Sequence, residues 1–308
     1  DFVAYILRNE DEFKSAIQPY RDAGANGRLS VEVTQSPMVA SERDALVSFY
    51  NTSGGASWAF PGENRNGKPW RPYNLLSDPC LDNWYGVVCT PDGYVDMLML
   101  AALDVTSPAM PAGVLALRAP SYIDLADCRI GGSLPFFPST WNEALVGLEL
   151  QNNYLEGPID SGQLRPLTAL VILNLSFNVL SGQVSGAMLP TSGALAQLIL
   201  DSNPLGGTVP IINTLPQLER LSMGNTQLSG TIPSGSWSLA NVNLASNNLT
   251  GTVPSDLLYA ESSPLLRLDL SNNQLTGFAS VPLGTNQEMI FLQDVYLNDN
   301  LFPIMPTL

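Results

Sequence analysis

The 308-residue sequence has no histidine. That absence removes Ser-His-Asp and Cys-His nucleophilic centres, and with them every histidine-ligated metal site. Charge is scarce as well: Asp, Glu, Lys and Arg make up 13% of the chain, against about 25% in an average soluble protein. A surface so poor in charge must be covered by Ser, Thr, Asn, Gln, Gly and Pro. The charge that is present leans one way, with 13 Lys and Arg against 28 Asp and Glu for a net −15. Lysine occurs only at Lys14 and Lys68. A nucleic-acid backbone is repelled by such a chain, so no nucleic-acid partner is expected. An anionic membrane surface is disfavoured for the same reason. No uninterrupted apolar run reaches the roughly 18 residues needed to span a bilayer. No signal peptide is visible, and an opening on Asp1 rather than Met fits a processed mature protein. No cofactor is implied. Paired carboxylates need no histidine, so they alone keep an enzyme reading open.

Hydrophobic residues make up 45% of the chain, ample for a core. The length fits two or three ordinary domains or one elongated repeat domain, and internal similarity decides between them. Leu145, Leu148, Leu150, Asn153, Leu155 and Gly157 share one frame with Leu170, Leu173, Leu175, Asn178, Leu180 and Gly182. Leu265, Leu268, Leu270, Asn273, Leu275 and Gly277 repeat it. The pattern is L-x-x-L-x-L-x-x-N-x-L-x-G, followed in places by a Val-Pro or Ile-Pro pair, as at Pro210, Pro233 and Pro254. The Asn place is occupied in turn by Leu103, Cys128, Asn153, Asn178, Asn203, Thr226, Asn247, Asn273 and Asn300, at steps of 21 to 27 residues.

The residue types follow from the geometry of a coil. L-x-L is a short strand, leucines inward and the middle residue outward. One turn cannot bury its leucines alone, whereas stacked turns can. The chain then bends inward and carries backbone polar groups into the core. A buried Asn amide has the donors and the acceptor to satisfy them between turns. Glycine serves where the backbone takes a conformation closed to other residues, and proline is expected to stop pairing on the far side. The fold class is therefore an α/β-type, β-rich solenoid, a right-handed superhelix of about nine turns with a parallel sheet on its concave side.

The repeat and its Ile-Pro ending resemble the plant-type extracellular leucine-rich-repeat family over residues 40–302. Ahead of the repeats, Leu46 and Phe49, then Trp58, Cys80, Trp84, Gly86 and Cys89 are similar to that family's N-terminal cap, which shields the first turn of core leucines. The resemblance implies a secreted or cell-surface protein and a disulfide between Cys80 and Cys89. A cytosolic thiol pair or a metal site lacks further ligands. Cys128 stands in an Asn place, where a small buried thiol fits, although an odd cysteine also allows a bridge to another chain. No kinase domain and no C-terminal Cys pair accompany the repeats, so only the ectodomain architecture is implied.

On this frame the expected divisions are an arm over 1–40, a cap over 41–94, repeats over 95–302 and an apolar tail over 303–308. In the arm, Phe2–Leu7 and Leu29–Val33 read as strands around a short helix from Asn9 to Tyr20, a βαβ-like segment with no place in the solenoid. Sequons stand at Asn51, Asn174 and Asn248, with Asn51 and Asn248 expected in surface loops and Asn174 pointing out from the concave sheet. The outward column between strand leucines reads Met99, Asp124, Glu149, Asn174, Ile199, Ser222, Asn243, Asp269 and Tyr296, with Asp127 and Asp201 alongside. As a binding surface this acidic face suits a cationic peptide or a hydroxyl-rich sugar. A merely solvated face fits it equally.

Asp124 and Glu149 on adjacent strands raise a carboxylate pair. The leading expectation is a non-catalytic extracellular module binding protein or glycan. Alternatives are a filament or surface-layer subunit joined head-to-tail through the arm and the open C-terminal end, and a carboxylate-based glycan-active enzyme.

Overall fold

The computed structural model describes residues 36–60, 67–190, 194–210, 215–235, 239–255, 257, 265–280 and 292–303. The strands and helix of the expected arm, and the tail from residue 304, lie outside these. Two compact units are formed. One runs up to Asn153 and includes Ala169–Val171, and the other holds Tyr154–Thr168 and the chain from Ile172 onward.

In the first unit, helix α1 (Ala40–Thr52) buries Glu42, Ala45, Leu46 and Phe49, one face at i, i+3, i+4 and i+7. Residues ahead of it are already tied down. Val39 N–H donates to Gly93 O, and Met38 N–H donates to Asp78 Oδ2. The segment 36–39 thus packs with the expected cap rather than with an arm. Helix α2 (Ala112–Leu115) crosses α1 so closely that a Cβ on Gly113 would stand 2.3 Å from Ala45 O. Around α1, Phe49, Trp58, Trp70 and Trp84 form a chain of ring contacts at 5.1 to 6.0 Å. Each indole N–H has an acceptor: Ser53 O, Tyr85 O and Ser77 Oγ in turn. The strand Val87–Cys89 pairs antiparallel with Val95–Met99. From there the ladder is parallel, Val95–Met99 to Tyr122–Asp124 to Gly147–Glu149.

The second unit continues the same construction. Ile172–Asn174, Gln197–Ile199, Arg220–Ser222, Asn241–Asn243, Arg267–Asp269 and Asp294–Tyr296 pair in that order, all parallel and in register. Their leucines are fully buried, as at Leu173, Leu198, Leu221 and Leu268. The fold is a β-rich leucine-rich-repeat solenoid with a parallel sheet. Among the described residues its regular turns number about seven rather than the nine expected. Val95–Met99 borders an antiparallel strand, and the last strand leaves Val295 and Tyr296 exposed.

The Asn places form the inner seam. In the first unit, Asn153 Nδ2 donates to Leu125 O, Leu150 O and Gln151 O, and its Oδ1 accepts from Ile130 N–H. Asn203, Asn247, Asn273 and Asn300 repeat this in the second, each reaching one turn back. Asn178 Oδ1 accepts from Leu155 N–H. The residue just before each Asn place, from Asp127 to Asp299, has a left-handed φ of 53° to 56°. Asp, Asn and Ser dominate there because their short polar side chains tolerate that region.

A second set of strands, not expected from the sequence, follows the Asn places. Thr106–Ser107 pairs with Arg129–Gly132 in the first unit. In the second unit, Tyr154–Pro158 pairs with Val179–Ser181, and Ser229–Thr231, Asn248–Val253 and Gln274–Phe278 pair in order. The prolines end these strands instead of preventing them: Pro158 closes one and Pro254 follows another, since a residue without N–H cannot extend the ladder.

This second sheet has its own seam. Where a Thr follows the repeat glycine, at Thr208, Thr231 and Thr252, its methyl turns toward the next turn's glycine. Thr208, Thr231 and Thr252 Cγ2 would lie 3.4, 3.0 and 4.0 Å from a Cβ on Gly230, Gly251 and Gly277. The hydroxyl before three of these glycines bonds one turn back: Ser229 Oγ donates to Gly207 O, Thr250 Oγ1 to Gly230 O and Thr276 Oγ1 to Gly251 O.

Candidate functional site

The outward column between the strand leucines was the expected binding face. Much of it forms turns. Asp124 Oδ1 accepts from Ala126 N–H, Asn174 Oδ1 from Ser176 N–H, Asn243 Oδ1 from Ala245 N–H and Asp269 Oδ1 from Ser271 N–H. In each case the side chain folds onto the backbone two residues ahead, where the strand ends and the chain bends. Asp and Asn recur in the column for that reason.

Asp124 is the clearest correction. It is 3% exposed, so it offers no binding surface. Its short carboxylate lies between the longer side chains of Met99 and Glu149 on the flanking strands. Glu149 does sit beside Asp124 in the register. It is engaged, accepting from the Tyr122 hydroxyl and from Gln151 Nε2. Among the described residues, Gln151 Oε1 is the one buried side-chain polar atom without a hydrogen-bond partner. Ile199 and Ser222 are buried too.

What remains in the open differs between the units. In the first, Asp127 is exposed and its Oδ1 accepts from Asn152 Nδ2 at 2.7 Å. In the second, Asp201 Oδ1 accepts from Gly224 N–H and from Asn243 Nδ2, which also reaches Ser222 Oγ. Asn174, Asn243 and Asp269 are half-buried. Two aromatic rings stand out: Phe177 is 55% and Tyr296 53% exposed. Arg267 pairs with Asp294 at 3.1 Å on neighbouring strands, and Arg220 lies two strands before it. The sequence reading named Tyr296 and missed Phe177, Arg220 and Arg267. The two arginines occupy the first position of their strands, outside the column that was read.

The sequons are differently placed. Asn51 lies in the last turn of α1 rather than in a loop, because the helix extends through Thr52, and its Oδ1 accepts from the Tyr73 hydroxyl. Asn248 is exposed, yet it opens a strand of the second sheet and is not in a loop. Cys80 and Cys89 are joined, with sulfurs 2.07 Å apart, and Cys128 is a buried free thiol. Burial pushes the Cys128 thiol up to about 11. Burial also raises Glu219 above the ordinary carboxyl range. Near the disulfide, Leu75 and Leu76 are 88% and 93% exposed on a loop that Arg43 holds through Pro72 O, Asn74 O and Ser77 O. Among the described residues no acidic or thiol cluster is placed to hold a metal, and no helix is long and apolar enough to cross a membrane.

Comparison with known proteins gives the same architecture. A Leucine Rich Repeat family profile matches residues 264–285. A plant ice-binding protein superposes with a TM-score of 0.64 at 22% identity, over 87% of this chain and 81% of that one. The ectodomain of the Arabidopsis receptor kinase HAESA, in complex with an N-terminally extended IDA peptide hormone, gives 0.50 at 26% identity, over 74% and 45%. The same receptor with IDA and the co-receptor SERK1 gives 0.55 at 24%, over 86% and 50%. The chain spans about half the length of those receptor ectodomains. No curated protein matches it.

Proposed function

We propose that this chain is a non-catalytic extracellular recognition module of the plant-type leucine-rich-repeat kind. In this reading, the segment joined by Cys80–Cys89 is its cap, and an extended peptide or protein segment binds across the strand face of the second unit. The observation that carries the reading is that this unit exposes the aromatic rings of Phe177 and Tyr296, and that its strands also carry Arg220 and Arg267. Aromatic residues and arginine are the side chains enriched at interfaces and at their energetic centres. Six parallel strands at about 4.8 Å spacing give a track of roughly 24 Å, room for an extended segment of about seven residues. The side chains between are held by bonds within and between turns, so little ordering is lost on binding. The likeness to a hormone-bound receptor ectodomain supports this choice of partner. The disulfide supports an oxidising, extracellular setting.

The test is selection of a random displayed peptide library against the full chain. Enriched peptides should lose on the order of tenfold in affinity, about 1.4 kcal/mol, with Tyr296→Ala and with Phe177→Ala. Peptides indifferent to both substitutions would overturn the assignment. The non-catalytic part has its own check. Glycan hydrolysis by the purified chain that disappears in Glu149→Gln would replace this reading with the carboxylate-enzyme one.

A further inference from the structure

In the second unit the strand face and the three-stranded sheet that follows the Asn places differ in charge. The strand face carries Arg220, Arg267, Asp269 and Asp294 within its strands. The three-stranded sheet of Ser229–Thr231, Asn248–Val253 and Gln274–Phe278 contains no Asp, Glu, Lys or Arg, whereas Tyr154–Pro158, which pairs with Val179–Ser181 outside it, carries Glu156. Outward the three-stranded sheet shows hydroxyls, amides and one aromatic ring. We propose that this face binds a neutral, hydroxyl-rich polysaccharide chain. The proposal rests on the recognition-module reading and adds a ligand of another class on another surface.

Three features select that chemistry. First, a surface without charge offers a charged peptide or polyanion no counter-charge, while it costs a neutral sugar nothing in ion desolvation. Second, the hydroxyls are fixed. Ser229, Thr250 and Thr276 each spend their proton on a carbonyl one turn back, at 3.1 to 3.3 Å, and so present lone pairs outward as acceptors. Thr231 and Thr252 turn their methyls to the next glycine, which leaves their hydroxyls toward solvent. The resulting grid repeats at about 4.8 Å between turns and about 6.6 Å along a strand, the scale of a single sugar ring. A polyol chain meets it with donors and acceptors in alternation. Third, one end carries a platform. Phe278 is 51% exposed and stacks on Phe302 at 5.2 Å with the rings 8° from parallel. A braced aromatic face is a flat apolar surface for the C–H face of a sugar ring. Beside it lies an open depression lined by Thr231, Ser234, Thr252, Ser255 and Ala279.

The experiment is retention of the full chain on microcrystalline cellulose, chitin and an insoluble β-1,3-glucan. At least one should retain it, with retention little changed by about 1 M NaCl, since no ion pair is involved. Phe278→Ala and the exposed Thr252→Lys should each weaken retention on the order of tenfold. Tyr296→Ala should leave it unchanged. Circular dichroism and thermal melting establish that each variant is folded. Failure of all three supports to retain the chain would overturn the proposal, as would undiminished retention of Thr252→Lys. Loss with Tyr296→Ala would move the sugar to the strand face. Arrest of ice growth without polysaccharide retention would assign the face to an ice lattice and overturn the proposal as well. Peptide capture on the strand face is read separately, by the library selection, and stands or falls on that readout.

Discussion

Replacing Asn203 by alanine removes four hydrogen bonds at a residue 1% exposed. Its Nδ2 donates to Leu175 O at 2.9 Å, Leu200 O at 3.0 Å and Asp201 O at 3.2 Å, and its Oδ1 accepts from Leu180 N–H at 3.0 Å. Each buried backbone group left without a partner costs about 1 to 3 kcal/mol. The space vacated by an amide admits a water that recovers part of that loss. The expected net loss is therefore about 3 kcal/mol, well below the sum of four separate penalties. Asn300→Ala makes an internal comparison. The same contacts exist there, to Leu270 O, Leu297 O and Leu275 N–H, but the residue is half-buried at the end of the described repeats. Water replaces its amide readily, and about 1 kcal/mol is expected. Gln197→Ala, on the half-exposed first position of a strand, should fall within about 0.5 kcal/mol.

Thr226 shows what a partial substitute retains. Its Oγ1 donates to the carbonyl three residues back, Met223 O, at 2.7 Å, without an amide's reach to the previous turn. Asn203→Thr should accordingly fall between Asn203→Ala and wild type. The assay is guanidinium unfolding followed by circular dichroism. Hydrogen exchange at the Leu180 amide reports the local loss, because repeat arrays need not unfold in one step. Equal midpoints for Asn203→Ala and Gln197→Ala would refute the interturn argument.

Cys128 should resist alkylation in the folded chain at pH 8.5 and react on unfolding, with its thiol pushed up to about 11. The unfolded thiol ionises near about 8.5 while the folded one keeps its proton to about 11, so stability should fall as pH rises through that window. A Cys128→Ala variant with the same slope there would disprove the assignment. Glu42→Ala should cost about 3 kcal/mol, because the buried carboxylate accepts from Val95 N–H at 3.0 Å and Arg118 N–H at 2.7 Å; unchanged exchange at those two amides would contradict this. Gly251→Ala should cost about 1 to 2 kcal/mol for its left-handed φ of 79°, plus the crowding of Thr231 Cγ2 at 3.0 Å. Adding Thr231→Ser should recover the crowding part only, and a double variant no more stable than Gly251→Ala alone would show that the methyl is not the obstacle.

The period was legible because the leucines and Asn places are enforced by burial at every turn. Leu148, Leu173 and Leu268 have no alternative to the core. The second sheet was not legible. Its strands are two to six residues long and most carry a glycine, as in Ser229–Thr231, so by composition they read as turns. What makes them strands is pairing with the neighbouring turn, which no single repeat displays. The nine-turn estimate erred for a related reason: the repeat frame continues to the borders, while closure depends on a neighbour on each side.

The binding column was misread in a more instructive way. Asp124, Asn174, Asn243 and Asp269 look like a row of ligand-facing polar groups because only side-chain chemistry is visible in a sequence. Their oxygens instead accept from the N–H two residues on, and the local bond is what selects Asp or Asn at each turn. A ligand would have to displace those bonds to use the oxygens, leaving backbone N–H groups to be satisfied again. Recognition is therefore left to side chains that the coil does not need. Tyr296, Phe177 and Arg267 are exposed, and their places vary in type from one turn to the next where the Asx positions recur. On a repeat scaffold, the residues that break the repeat while standing in solvent are the ones free to be specific.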